Sequence, residues 1–133
     1  MKKVTIAALD NSELSYASLL EDTGLSRSTA RVIVCLMVRN SITVRQIALA
    51  TEMTPASVSV AIRKLRELRM IRHEESVSGK TSERLYSPVG DWACILALIE
   101  EHERRKISGY MQKSGEVLSE IKNKYSYLLA RPR

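Results

Sequence analysis

Two helix starts stand eleven residues apart in this chain, and the interval between them holds one short helix and a tight turn. At the first, Thr43 precedes Gln46 by three residues just before Ile47 and Ala48. That is the spacing of a capping box, in which the threonine hydroxyl accepts a free helix N–H and the glutamine side chain accepts the N–H of the cap. At the second, Thr54 is followed by Pro55, a cap residue with proline at the first helical position. The pattern predicts a helix over residues 44–50, a turn at Thr51-Glu52-Met53 and a second helix from Thr54. At 100° per residue, Val58, Ala61, Ile62, Leu65 and Leu68 share one arc of that helix. Ala56, Ser57, Ser59, Val60, Arg63, Lys64, Arg66 and Glu67 share the other. Residues 70–75 and 84–87 then read as short strands either side of a hairpin whose tip is Ser78-Gly79-Lys80-Thr81.

The flanks supply more helix. Asn11 or Ser12 is placed to cap a helix ending at Asp22, with Leu14, Ala17, Ser18 and Glu21 on its partly buried face and Thr23-Gly24 as its stop. Ser26 caps a helix whose Ala30, Val32, Ile33, Val34, Cys35, Leu36, Met37 and Val38 wrap nearly all the way round, the mark of a helix central to a core. Asn40 ends it, and Ser41-Ile42 forms a short extended link. Pro88-Val89-Gly90 punctuates the chain again, and Asp91 caps a helix over residues 92–105 with Ile95, Leu96, Leu98 and Ile99 as its apolar set. After Gly109, Met111, Ser114, Leu118, Ile121, Tyr125 and Leu128 recur at alternating intervals of three and four, the seam of a coiled coil. Following a finished hairpin domain, this seam reads as a contact with a partner chain.

Charge is concentrated where the two central helices and the hairpin lie. Residues 26–87 carry 11 Lys/Arg against 5 acids, a net +6, whereas the flanks carry −2 and +2. A local cationic excess of this kind is the electrostatic footprint of a polyanion. The order helix, turn, cationic helix, hairpin is that of a winged helix, with the second helix in the major groove of duplex DNA and the hairpin on flanking phosphates. Small Ala56, Ser57 and Ser59 let the backbone approach, while Arg63 and Lys64 reach guanine edges or phosphates; a good bidentate contact carries about 1–3 kcal/mol of discrimination. Thr43 and Arg45 sit against the backbone near the first helix, and Thr54 and Val60 complete the groove face. Lys80 and Arg84 supply phosphate contacts that position without reading sequence. Taken alone, Arg63, Lys64, Arg66 and Arg69 also fit the solvated side of any helix; the flanking elements favour contact.

Other chemistry finds little support. Gly79-Lys80-Thr81 imitates the end of a phosphate-binding loop, but Glu74 stands where the leading glycine belongs and a strand, not a helix, follows. His73 and His102 have acidic neighbours but no third group to complete a catalytic or metal set, so no enzyme, cofactor or metal is expected. Cys35 and Cys94 stand far apart in apolar stretches and read as small core residues. Met1-Lys2-Lys3 opens like a signal peptide, but the apolar run stops after six residues at Asp10, too short for secretion or a membrane span. A cytoplasmic location with reduced thiols follows as the expectation.

These stretches, Thr43-Val44-Arg45-Gln46-Ile47-Ala48, Thr54-Pro55-Ala56-Ser57-Val58-Ser59, Ile62-Arg63-Lys64-Leu65, Met70-Ile71 and Gly79-Lys80 through Tyr86, resemble the MarR-like and TrmB-like winged-helix regulators. The resemblance spans residues 26–90 and implies a recognition helix from Thr54, a homodimer built by the terminal helices, and transcriptional regulation, often repression relieved by a small molecule. The chain departs from the pattern at Val60, where many relatives carry Arg or Lys. It departs again at Arg69, where a glycine commonly closes the recognition helix, so a left-handed residue there costs strain or the turn is built differently. The Asp-Arg wing signature of MarR relatives is incomplete as well. The expectation is therefore a mainly α winged helix-turn-helix protein with a β-hairpin wing and additional N- and C-terminal helices forming a dimer interface. Residues 1–25 are an N-terminal segment and helix, 26–90 the DNA-binding domain and 91–133 the dimerisation helices. The alternative is a winged-helix protein-interaction module in a transcription or chromosome complex, without direct base readout.

Overall fold

The helix α2 (Arg27–Arg39) buries Val32, Ile33, Val34, Cys35 and Leu36, five consecutive side chains with no exposed surface. A helix enclosed on every side needs neighbours all round it, and the other elements supply them. The computed structural model describes residues 6–78 and 81–124, without the side chains of Ser78 and Thr81. Lys80 at the hairpin tip and Tyr125 and Leu128 of the seam lie outside the described residues. Two compact units are formed, residues 1–100 and 101–133.

In the first unit, α1 (Asn11–Asp22) packs on α2. Its cap is Asp10, one residue ahead of the expected Asn11 or Ser12. The Asp10 carboxylate accepts the Glu13 N–H at 2.8 Å and the Glu13 carboxylate accepts the Asp10 N–H at 3.3 Å, completing a capping box. The inward face is also rotated from expectation: Glu13, Ala17 and Leu20 are buried, Leu14 is half-buried, and Ser18 and Glu21 are exposed. Glu13 turns inward because Arg39 of α2 pairs with its carboxylate, both side chains being almost wholly buried. The same guanidinium donates to the carbonyl oxygens of Ala7 at 2.8 Å and Ala8 at 3.2 Å. Buried charge is tolerated only when paired and hydrogen-bonded in this way, and removing one partner of such a pair costs about 3–5 kcal/mol.

The helices α3 (Val44–Thr51) and α4 (Pro55–Glu67) begin at the expected caps. Thr43 accepts the Gln46 N–H at 3.2 Å while Gln46 accepts the Thr43 N–H at 2.9 Å. The turn between them starts at Glu52, which is left-handed with φ 58° and ψ 33°. Thr51 remains helical and buried, its hydroxyl donating to the Ile47 carbonyl at 2.7 Å. All five residues of the apolar arc of α4 are buried, each large one contributing about 1.5–3 kcal/mol. At its end Arg69 adopts φ 59°. The Met70 N–H reaches the Leu65 carbonyl and the Arg69 N–H the Arg66 carbonyl, both at 3.0 Å. That is a Schellman closure with arginine in the position where glycine is normal.

The wing consists of antiparallel β1 (Ile71–Ser78) and β2 (Thr81–Pro88), paired from Ile71 with Pro88 to Ser78 with Thr81. Both strands run further than the apolar pattern indicated. A two-stranded ribbon facing water needs no apolar alternation, so its outer half leaves little mark in the sequence. Ile42, from the extended link, adds a rung: its N–H reaches the Tyr86 carbonyl at 3.0 Å and its carbonyl accepts the Tyr86 N–H at 2.7 Å. Gly90 then passes so close to Cys94 that an added Cβ would lie 2.9 Å from its Sγ.

The last helix, α5 (Trp92–Lys124), starts with Asp91 accepting the Cys94 N–H at 2.9 Å, and Ile95 and Ile99 enter the core. The helix continues through Gly109, taken in the sequence as a boundary, and through Gly115. A helical glycine costs only about 1 kcal/mol relative to alanine, and pairs such as Glu101 with Arg105 at 3.0 Å support the helix ahead of it. Among the described residues no buried side-chain polar atom lacks a hydrogen-bond partner, and no helix is long and apolar enough to cross a membrane. Arg69→Gly is expected to raise stability by about 0.5–1 kcal/mol, the left-handed strain relieved less the entropy glycine adds to the unfolded chain. Urea denaturation of both proteins measures it, the midpoint moving upward with an unchanged slope.

Candidate nucleic-acid interface

The outward face of α4 is set by its burial on the other side. With Val58, Ala61, Ile62 and Leu65 held against α2 and α3, residues Ala56, Ser57, Ser59, Val60, Arg63, Lys64, Arg66 and Glu67 are all exposed. Thr54 and Ser57 spend their hydroxyls partly on the helix start: Thr54 Oγ1 accepts the Ser57 N–H at 3.2 Å and donates to Ser57 Oγ at 2.9 Å. Thr43 is likewise the cap of α3 and half-buried, whereas Arg45 two residues on is exposed.

Between α4, the start of α3 and the wing lies a cleft of about 560 Å³. Its floor is Val44, Ile62 and Tyr86, and its walls carry Ser59, Arg63, Arg66, Glu67 and Arg84. Three arginines from two elements, together with one glutamate, therefore line one recess. The folded chain brings Ser59, Arg63 and Arg84 of the expected set together there. Arg66, Glu67 and Tyr86 join them, none of which the sequence placed in a site. Their spacing on the outer arc marked Arg66 and Glu67 as exposed, but only the docking of the wing makes them neighbours of Arg84. Thr43, Arg45, Thr54, Ala56, Ser57, Val60 and Lys64 do not line the cleft.

Arg84 does not stand free. Its Nε lies 3.5 Å from Glu75, its cross-strand partner, and Glu75 also accepts the Ser82 hydroxyl at 2.9 Å. The Ser82 hydrogen bond, and then Arg84 itself, hold the Glu75 carboxyl below the ordinary carboxylate range. Tyr86 in turn keeps Arg84 firmly protonated. The wing thus presents a cation whose charge is already shared.

Residues 23–80 match the MarR family, a stretch that begins at the end of α1 and runs through α2, α3, α4 and β1 to the hairpin tip. The chain resembles the MarR-like winged-helix regulators. Among proteins of known structure, the fold is shared with a transcriptional regulator at 18% identity and TM-score 0.60, over 84% of this chain and 74% of that one. It is shared with TrmBL2, an archaeal chromatin protein, at 18% identity and TM-score 0.69, over 91% of this chain. This chain spans about half the length of TrmBL2, 47%. YusO from Bacillus subtilis aligns at 15% identity and TM-score 0.50, over 90% of this chain and 86% of that one. No curated protein matches the sequence. The cleft lies between the second helix of the helix-turn-helix and the wing, the two elements that a winged helix offers to duplex DNA.

Elsewhere, Cys35 is enclosed in the core beside Arg39, and burial pushes its thiol up to about 11, against the opposing pull of Arg39. At neutral pH it is a thiol, not a nucleophilic thiolate. Cys94 is only half-buried. Native protein treated with Ellman's reagent at pH 7.5 is expected to leave Cys35 unmodified until urea unfolds the chain, with any early release coming from Cys94. Rapid modification of Cys35 in the folded protein, located by peptide mass, would contradict its assignment to the core.

Proposed function

We propose that the protein is a homodimeric, sequence-specific regulator of transcription that acts in the cytoplasm by binding duplex DNA. The observation that carries this reading is the cleft in which Arg63 and Arg66 of α4 meet Arg84 of the wing. In the bound state α4 occupies the major groove, with Ala56, Ser57 and Ser59 permitting close approach and Arg63 and Lys64 on base edges or phosphates. Thr43, Arg45 and Thr54 take the backbone beside the helix starts, and Lys80 and Arg84 the flanking phosphates. The Glu75 contact with Arg84 makes the wing the weaker arm, because phosphate must compete with a carboxylate already in place.

Dimerisation is supported by apolar surface left open. Met111, Leu118 and Ile121 on α5 are each at least half exposed, with Tyr110 and Val117 beside them. In the first unit Tyr16, Leu19, Leu20, Trp92 and Leu96 line an apolar groove of about 340 Å³. Apolar patches of this kind mark association surfaces more often than idle ones. Two copies would present two recognition helices to a two-fold symmetric operator. Relief of binding by a small molecule is the regulatory mode that the MarR-like resemblance implies.

Fluorescence anisotropy with duplex DNA upstream of its own gene tests the first half. Log affinity is expected to fall linearly with log salt; Arg63→Ala relaxes sequence preference, while Lys80→Ala weakens all duplexes alike and lowers the salt slope by about 1. Flat, negligible binding at every salt would remove the DNA reading in favour of a protein-interaction module. Sedimentation tests the second half. Leu118→Glu with Ile121→Glu is expected to convert a dimer to monomer without loss of helix content, and a persisting dimer would take the α5 stripe out of the interface.

A further inference from the structure

The groove face of α4 has an apolar centre. Measured from the middle of the buried arc, Ala56, Val60, Arg63 and Glu67 point most directly away from the core, and of these Val60 lies midway along Pro55–Glu67. It is 67% exposed. Helix stability does not account for it, because valine is a poor helix former and its branched side chain gains nothing from packing at an open position. Its surroundings are small on the N-terminal side, at Ala56 and Ser57, and long and charged on the C-terminal side, at Arg63 and Lys64. A polar edge in the groove would meet two methyl groups here and find no hydrogen-bond partner.

We infer that Val60 is a specificity residue that reads the C5 methyl group of a thymine in the major groove. The inference rests on the DNA-binding reading above. The chemistry is direct. Of the four bases only thymine offers the major groove an apolar group. Valine in a helix is held in one dominant χ1 rotamer, so both its methyls are fixed before contact and little side-chain freedom is lost on binding. Arg63 one turn on can then hold an acceptor edge or a phosphate, leaving Val60 to choose thymine over cytosine by contact alone. The valine at this position thereby acquires a role as a methyl reader in place of a cationic contact.

Duplexes selected by the wild-type protein from a random pool supply the probe. Each thymine of a selected duplex is replaced in turn by deoxyuridine, which removes the C5 methyl and leaves every hydrogen-bonding group in place. One position per half-site is expected to lose about fourfold in affinity, the effect of one buried methyl group. V60A, which favours the helix and so preserves the fold, should bind the thymine and deoxyuridine duplexes equally. V60T, which keeps one methyl, should restore part of the difference. If selection enriches a sequence but no thymine responds to demethylation, or V60A responds as strongly as wild type, the inference falls and DNA binding stands. If no sequence is enriched and no duplex is bound, the DNA-binding reading falls and takes the inference with it.

Discussion

Everything in the first unit is arranged by the need to cover α2. The middle of α2, with five consecutive fully buried residues, has no face left for water, although Val38 near its end, expected in the core, is exposed; α1, α3, α4 and the wing therefore each turn an apolar side toward it. That requirement orients α4: once Val58, Ala61, Ile62 and Leu65 are committed to the core, the cationic residues have one direction left. The exposed cationic face is the complement of the core face. It needs no separate device to hold it outward, and its rigidity is that of the packing behind it.

The polar groups that the core does contain act as fasteners between distant stretches. Arg39 draws Glu13 and the carbonyls of Ala7 and Ala8 to the end of α2. The Leu9 N–H reaches the Ala50 carbonyl at the end of α3, at 3.0 Å. The N-terminal strap is thus bonded to both the central helix and the first helix of the helix-turn-helix. On the other side, the Ile42 and Tyr86 rung ties the link before α3 to β2. Through these two fasteners, the relative placement of α3, α4 and the wing is over-determined, which is what a cleft shared by three elements requires. The left-handed conformation of Arg69 belongs to the same logic: the chain must reverse there for Met70 to return its N–H to Leu65, and the buried Met70 holds the strained turn in place.

Much of the architecture was legible in the chain because its signals are local. Thr43 with Gln46, Thr54 with Pro55, Ser26 and Asp91 all mark helix starts by hydrogen bonds made within three residues, and each appears where expected. The buried arc of α4 was equally clear, since helical periodicity follows from backbone geometry alone. The misses have a common character. Asp10 with Glu13 is itself a local capping-box spacing, but the inward face of α1 is not local, because a buried glutamate makes sense only beside the arginine that pairs with it, and Arg39 is 26 residues away. The outer wing was shortened because backbone pairing between exposed strands leaves no apolar trace. Gly109 does not end the helix, since one glycine is a small penalty against a long run of helix formers.

The sequence by itself determined most of the helical segments, the starts of α2, α3, α4 and α5, and which side of α4 is left exposed, because these depend on groups within a turn or two of one another. Only the tertiary structure decided which charges act together. Arg66 and Glu67 became part of a cleft, and Arg84 arrived there carrying Glu75. Electrostatic strength and shape depend on distances across elements, which packing sets and no local pattern encodes.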